Sequence, residues 1–170
     1  MNHFKTLLLL AFISPFALSA PFAKDKTLLS PGFALPVAVD SGETGAGPSL
    51  GWLTQAESNS KFYWGGDFGL HFLGKANSFT ESTTALQFLP SVVHIGAGSE
   101  SLAPTMGVSA GAYWYVAQAN GAKGIDFLLL FRPGVLINAG ATTQMWLEGK
   151  FGSLAGELIV MPTLSVNIYW

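Results

Sequence analysis

From Glu157 to Trp170 the chain alternates with a period of two. The even positions are Leu158, Val160, Pro162, Leu164, Val166, Ile168 and Trp170, and the odd ones include Glu157, Thr163, Ser165, Asn167 and Tyr169, with Ile159 and Met161 as exceptions. That period is the mark of a β-strand, whose successive side chains point to opposite faces. The pattern recurs upstream: Phe62, Trp64, Gly66, Phe68, Leu70 and Phe72 oppose Tyr63, Gly65, Asp67, Gly69 and His71, and Val108, Ala110, Ala112, Trp114 and Val116 oppose Gly107, Ser109, Gly111, Tyr113 and Tyr115. Phe127, Leu129, Phe131, Pro133, Val135 and Ile137 oppose a parity carrying Arg132, Gly134 and Asn138. Six strands follow, over 61–73, 83–95, 105–118, 125–138, 142–151 and 156–170. Two weaker runs, Phe33 to Val39 and Leu50 to Thr54, bring the number to eight, with the Gly- and Ser-rich segment Ser41 to Pro48 read as the loop between them. With both chain ends on one side, the opposite loops fall near 41–47, 74–82, 119–123 and 152–155.

Composition decides which solvent this sheet meets. Charged residues make up 11% and hydrophobic ones 49%, where soluble domains carry roughly 25% charge. Beyond residue 20 no apolar run is long enough for a membrane-spanning helix, which needs about 20 residues. A chain this apolar satisfies its backbone in lipid by closing its strands. The expected fold is all-β, an eight-stranded antiparallel up-and-down transmembrane β-barrel with lipid-facing apolar residues and an interior filled by small and polar ones. A soluble calycin-like barrel would need the reverse polarity of the last strand.

The first residues are read apart from the fold. Lys5, the apolar stretch from Thr6 to Leu18, and the small residues Ala17, Ser19 and Ala20 form an export signal cut after Ser19 or Ala20. The domain reading is therefore 1–20 signal peptide, 21–30 short N-terminal tail, and 31–170 barrel. The chain has no cysteine, which excludes disulfides, thiol catalysis and a lipid-bearing cysteine. A net charge of −2 supplies no basic surface, so no nucleic-acid partner is expected.

The stretch Phe62–Leu70 (FYWGGDFGL), the stretch Pro104–Trp114 (PTMGVSAGAYW) and the ending Ile168-Tyr-Trp170 resemble the small bacterial outer-membrane β-barrel domain family. That family includes the membrane domain of OmpA and the OmpX-like and opacity-type proteins. The resemblance covers about residues 48–170. It implies an outer-membrane location, contact with outer-membrane lipid and lipopolysaccharide, a monomer, and recognition of Leu164, Val166, Ile168 and Trp170 by the barrel-assembly machinery. The short loops argue against an adhesin of the opacity type.

Candidate chemistry lies on the inward parity. Arg132, the only arginine, would cost about 2–4 kcal/mol facing lipid at mid-membrane, so it is placed inside. A tight turn centred on residue 140 sets it opposite Glu148, and a turn between Ser153 and Leu154 sets Lys150 opposite Glu157. With Asp67 and His71 these residues form an expected interior polar network, read as structural in preference to a narrow ion-conducting path. Aromatics at the strand ends, among them Trp52, Phe62, Trp64, Trp114, Tyr169 and Trp170, suit the two membrane interfaces.

A lipid A-modifying, deacylase-like enzyme is the rival reading. It requires a serine activated by a histidine that a carboxylate orients. Asp67 and His71 share a face but stand about 13 Å apart along a strand. His94 falls on the lipid-facing parity and is followed by Ile95 and Gly96 in place of a His-x-Ser motif, while Ser91 faces inward. Gly42, Gly45 and Gly47 form no phosphate loop, and no metal or cofactor site is expected. The reading is a non-enzymatic barrel with a structural or surface-interaction role in the cell envelope.

Overall fold

The computed structural model describes residues 27–57, 60–75, 78–99, 101–117, 124–139 and 143–169. The signal 1–20, tail residues 21–26, the loop read at 119–123 and Trp170 lie outside the described residues. The elements are β1 (Thr27–Ala34), β2 (Val37–Ala38), β3 (Glu43–Gln55), β4 (Phe62–Lys75), β5 (Ser78–Ile95), β6 (Leu102–Ala117), β7 (Gly124–Asn138), β8 (Thr143–Leu154) and β9 (Glu157–Tyr169). Every pairing is antiparallel between neighbours. The segments β1 and β2 are one barrel strand broken at Leu35 and Pro36. Both pair with β3 on one side and β9 on the other, which closes an eight-stranded barrel. Pro36 has no N–H to give the ladder, and its carbonyl accepts from Gly45 N at 2.8 Å across the break.

The strands run further than the sequence reading placed them: β5 starts at Ser78, inside the loop read at 74–82, β8 runs to Leu154, inside the loop read at 152–155, and two boundaries near the N-terminus also move. The first strand starts at Thr27, inside the segment read as a tail, because Leu28 and Ser30 already point into the barrel. Most of Ser41 to Pro48 is strand rather than loop, since β3 begins at Glu43 after a short turn over residues 39–42. Gly45 and Gly47 within it serve close approach instead of bending: a Cβ on Gly47 would lie 1.8 Å from the Leu70 carbonyl oxygen. Gly65 is the same device on β4, where a Cβ would meet the Trp52 carbonyl oxygen at 1.9 Å. Backbone cannot yield as a side chain does, so Gly65→Ala is expected to destabilise the barrel by about 1–3 kcal/mol. A urea unfolding midpoint equal to that of the parent would show that β3 moves aside freely.

The wall has the polarity of a membrane protein. Phe62, Trp64, Phe68 and Phe72 on β4, Val108 and Trp114 on β6, Ile125, Phe127 and Leu129 on β7, and Leu158, Leu164, Val166 and Ile168 on β9 all face outward and are exposed. Arg132, Lys150, Glu148, Asp67, His71 and Asn167 are buried. Water would leave this apolar wall unsatisfied, whereas lipid matches it.

The interior is layered, not uniformly polar. Near the rim that holds the chain ends, Leu28, Leu53, Tyr63, Val93, Ile95, Leu136 and Trp146 pack into one apolar cluster. Near the opposite rim Leu73, Leu89, Tyr113, Leu128, Leu130, Leu154, Ile159 and Met161 pack into another. The four charged residues occupy the height between them, while the apolar layers also take in buried polar groups, Ser30, Gln144 and Asn167 towards the chain-end rim and His71 and Gln87 towards the other. Asp67 lies between Tyr63 and Leu73 on β4, Arg132 between Leu130 and Leu136 on β7, and Glu148 and Lys150 between Trp146 and Leu154 on β8. The exceptions Ile159 and Met161 in the last strand's alternation are thus the inward residues of the second apolar layer.

Candidate functional site

The middle layer is a closed network of four charges. Arg132 on β7 donates from Nε to Glu148 Oε1 at 2.9 Å and from Nη2 to Glu148 Oε2 at 2.8 Å. Its Nη1 reaches Asp67 Oδ2 at 2.8 Å and Ser109 Oγ at 3.2 Å. Lys150 Nζ lies 3.1 Å from Asp67 Oδ2 and 3.5 Å from Glu148 Oε2. Two cations face two carboxylates, so the layer is neutral as a unit. The guanidinium also sits 5.4 Å from the centre of the Trp146 ring, whose indole N–H donates to Thr105 Oγ1 at 3.0 Å. Glycines open the space this needs: a Cβ on Gly51 would lie 2.6 Å from Asp67 Oδ1, and one on Gly134 would lie 2.7 Å from Thr105 Oγ1.

The register explains which expected pairs form. Gly134 stands opposite Glu148 and Phe131 opposite Phe151, so the β7–β8 connection centres one residue later than residue 140. Arg132 therefore meets Glu148 diagonally along the same inward face, within reach of a long side chain. Lys150 does not pair with Glu157. The β8–β9 turn is Ala155–Gly156, both with positive φ (52° and 89°), a two-residue hairpin geometry that matches strand twist. It sets Leu154 opposite Glu157 and Lys150 opposite Met161. Glu157 consequently stays at the rim, where its Oε1 accepts from the Ser41 backbone N–H.

His71 is inward but apart from the charge layer. Its Nδ1 is 2.8 Å from the Tyr113 hydroxyl, and Tyr113 leans edge-on against Tyr115. His94, on the lipid-facing parity, packs against Phe62 with ring centres 4.9 Å apart. Among the described residues neither histidine is hydrogen-bonded to a serine or a carboxylate. Ser109 and Tyr113 stand on the inward parity already read for their strand, whereas Thr105 and Trp146, which also face the interior, were not singled out from the sequence. Their inward parity was the available signal, and what hid them was that their partners lie on other strands.

Among the aromatics, Phe62, Trp64 and Trp114 face outward with about half their surface exposed. Trp52 lies across the wall over Gly66, stacked on Phe68 at 5.4 Å and 6.4 Å from Phe88. Tyr169 ends β9 opposite Leu28. Leu164, Val166 and Ile168 of the terminal strand all point to the lipid side.

A closed wall of eight antiparallel strands, apolar outside and charged at its centre, has the architecture of a small transmembrane β-barrel. In sequence the chain matches no family profile and no curated protein. In structure it resembles Ail, the attachment invasion locus protein of Yersinia pestis, with a TM-score of 0.59 at 12% identity over 87% of this chain and all of that one. Neisserial surface protein A superposes with a TM-score of 0.63 at 9% identity, covering 87% of this chain and 98% of that one. The outer-membrane enzyme PagL gives 0.56 at 16% identity, covering 85% and 99%. At these identities the likeness is one of fold.

Proposed function

We propose that this protein is an outer-membrane barrel of bacteria, exported, inserted by the barrel-assembly machinery, and resident as a monomer among lipopolysaccharide. It acts there as a structural or surface-interaction component of the envelope, without catalysis or conduction. The observation that carries this reading is the filled interior: the charged belt that would attract an ion or a substrate is itself buried between two packed apolar clusters, and its charges already neutralise one another. The fold neighbours, which include a surface protein and an enzyme, are compatible with the location and leave the activity to experiment.

Two measurements test it together. Purified barrel in planar bilayers is expected to give no discrete conductance steps, and lipopolysaccharide incubated with it is expected to keep its mass. Reproducible steps abolished by Arg132→Met would replace this reading with that of a narrow pore. Loss of one acyl chain's mass would replace it with that of a lipid A hydrolase.

A further inference from the structure

The lipid-facing wall carries a groove of about 550 Å3, with sides built from Leu50, Phe68, Leu86, Phe88, Trp114 and Ile125. The register fixes its course. Leu50 pairs with Phe68 and Phe68 with Phe88, Leu86 pairs with Trp114, and Trp114 with Ile125. Phe68 immediately follows Asp67, so the lower end lies at the height of the charged layer. The upper end, at Trp114 and Ile125, lies where β6 and β7 approach their connecting hairpin, on the rim opposite the chain ends. The groove therefore climbs obliquely through one half of the wall. Its floor includes Ala112, a small residue between Phe88 on β5 and Phe127 on β7.

We infer that this groove holds one acyl chain of a lipopolysaccharide molecule. The inference rests on the outer-membrane location proposed above, with both chain ends on the periplasmic side, which puts the hairpin rim outside and the groove in the lipopolysaccharide leaflet. The groove is continuous with the lipid-facing wall, and it ends where a leaflet ends, near mid-height. A chain entering beside Trp114 and Ile125 would run down to Phe68 and Leu50 without meeting a charge. Leaving bulk hydrocarbon for an apolar groove gains nothing from the hydrophobic effect. Retention comes from closer packing against fixed aromatic and aliphatic walls, where many small dispersion contacts add up.

The test is native mass spectrometry of the processed chain purified from outer membranes and exposed in detergent to equal amounts of rough lipopolysaccharide and phosphatidylethanolamine. One lipopolysaccharide adduct per barrel is expected. Ala112→Phe, which fills the floor from the lipid side, should reduce that adduct several-fold, and Ala112→Leu should do so to a smaller degree. Val108→Phe, on the same strand and face but outside the groove, should leave it unchanged; each variant's heat-modifiable gel shift confirms folding. Equal adducts of both lipids, or the same response from Ala112→Phe and Val108→Phe, would overturn the assignment. A chain recovered from outer membranes without an adduct overturns the groove alone. Recovery from the soluble or inner-membrane fraction overturns the location itself.

Discussion

Replacing Arg132 by methionine is expected to lower the unfolding free energy by about 3–5 kcal/mol, the usual cost of leaving a buried charge without its partner. Arg132 is fully buried and serves two carboxylates, so its removal leaves Glu148 and Asp67 sharing a single cation, Lys150. The network divides naturally into two neutral pairs, Arg132 with Glu148 and Lys150 with Asp67. The double variant Arg132→Met/Glu148→Gln removes one pair whole and leaves the other intact. It should therefore recover more than half of the loss, read as the shift in urea midpoint at constant slope. Additive losses from the two single changes would mean that the four side chains do not act as one electrostatic unit. The expected coupling also bears on folding: removing four charges from water offsets much of their mutual attraction, so the layer contributes more to fixing strand register than to net stability.

The fold was legible because two-residue alternation survives along nearly the whole barrel and because the charged fraction is too low for a soluble sheet. The parity of β4, β6, β7 and β9 reads directly as inside and outside. Legibility ended where local cues mimic turns. The segment from Ser41 to Pro48 has turn composition, yet only Gly42, with its positive φ, serves the turn; Gly45 and Gly47 are there for strand contact, as the clash of a Cβ on Gly47 with the Leu70 carbonyl shows. At the N-terminus, Leu28 and Ser30 alternate over too short a run to stand out beside Pro31 and Pro36.

The interior was legible residue by residue but not pair by pair. Parity places Asp67, His71, Arg132, Glu148 and Lys150 inside, because a change of register by an even number preserves the face. Partners depend on the register itself, and that is set by turn geometry. Moving the β8–β9 turn to Ala155–Gly156 takes Glu157 from the network to the rim. The contact of Arg132 and Lys150 with Asp67 joins strands far apart in sequence across the barrel axis, and no hairpin argument reaches it. Layering was equally hidden, since inward apolar residues such as Met161 and Leu130 look like breaks in a pattern until the residues at the same height on other strands are known.

Val108→Arg is expected to cost about 2–4 kcal/mol in lipid vesicles, while Leu102→Arg costs only about 0–1 kcal/mol. The two residues share strand β6, the same outward face and similar exposure, 55% and 47%. What separates them is depth. Val108 adjoins Ser109, whose hydroxyl touches Arg132 at the level of the charged layer, whereas Leu102 opens the strand at the rim. An arginine at Leu102 can reach headgroups and water; one at Val108 must carry its charge through hydrocarbon. Reversible urea unfolding in vesicles measures both. On a wall facing water the two changes would each fall within about ±0.5 kcal/mol, so a small, equal effect would remove the membrane from this account altogether.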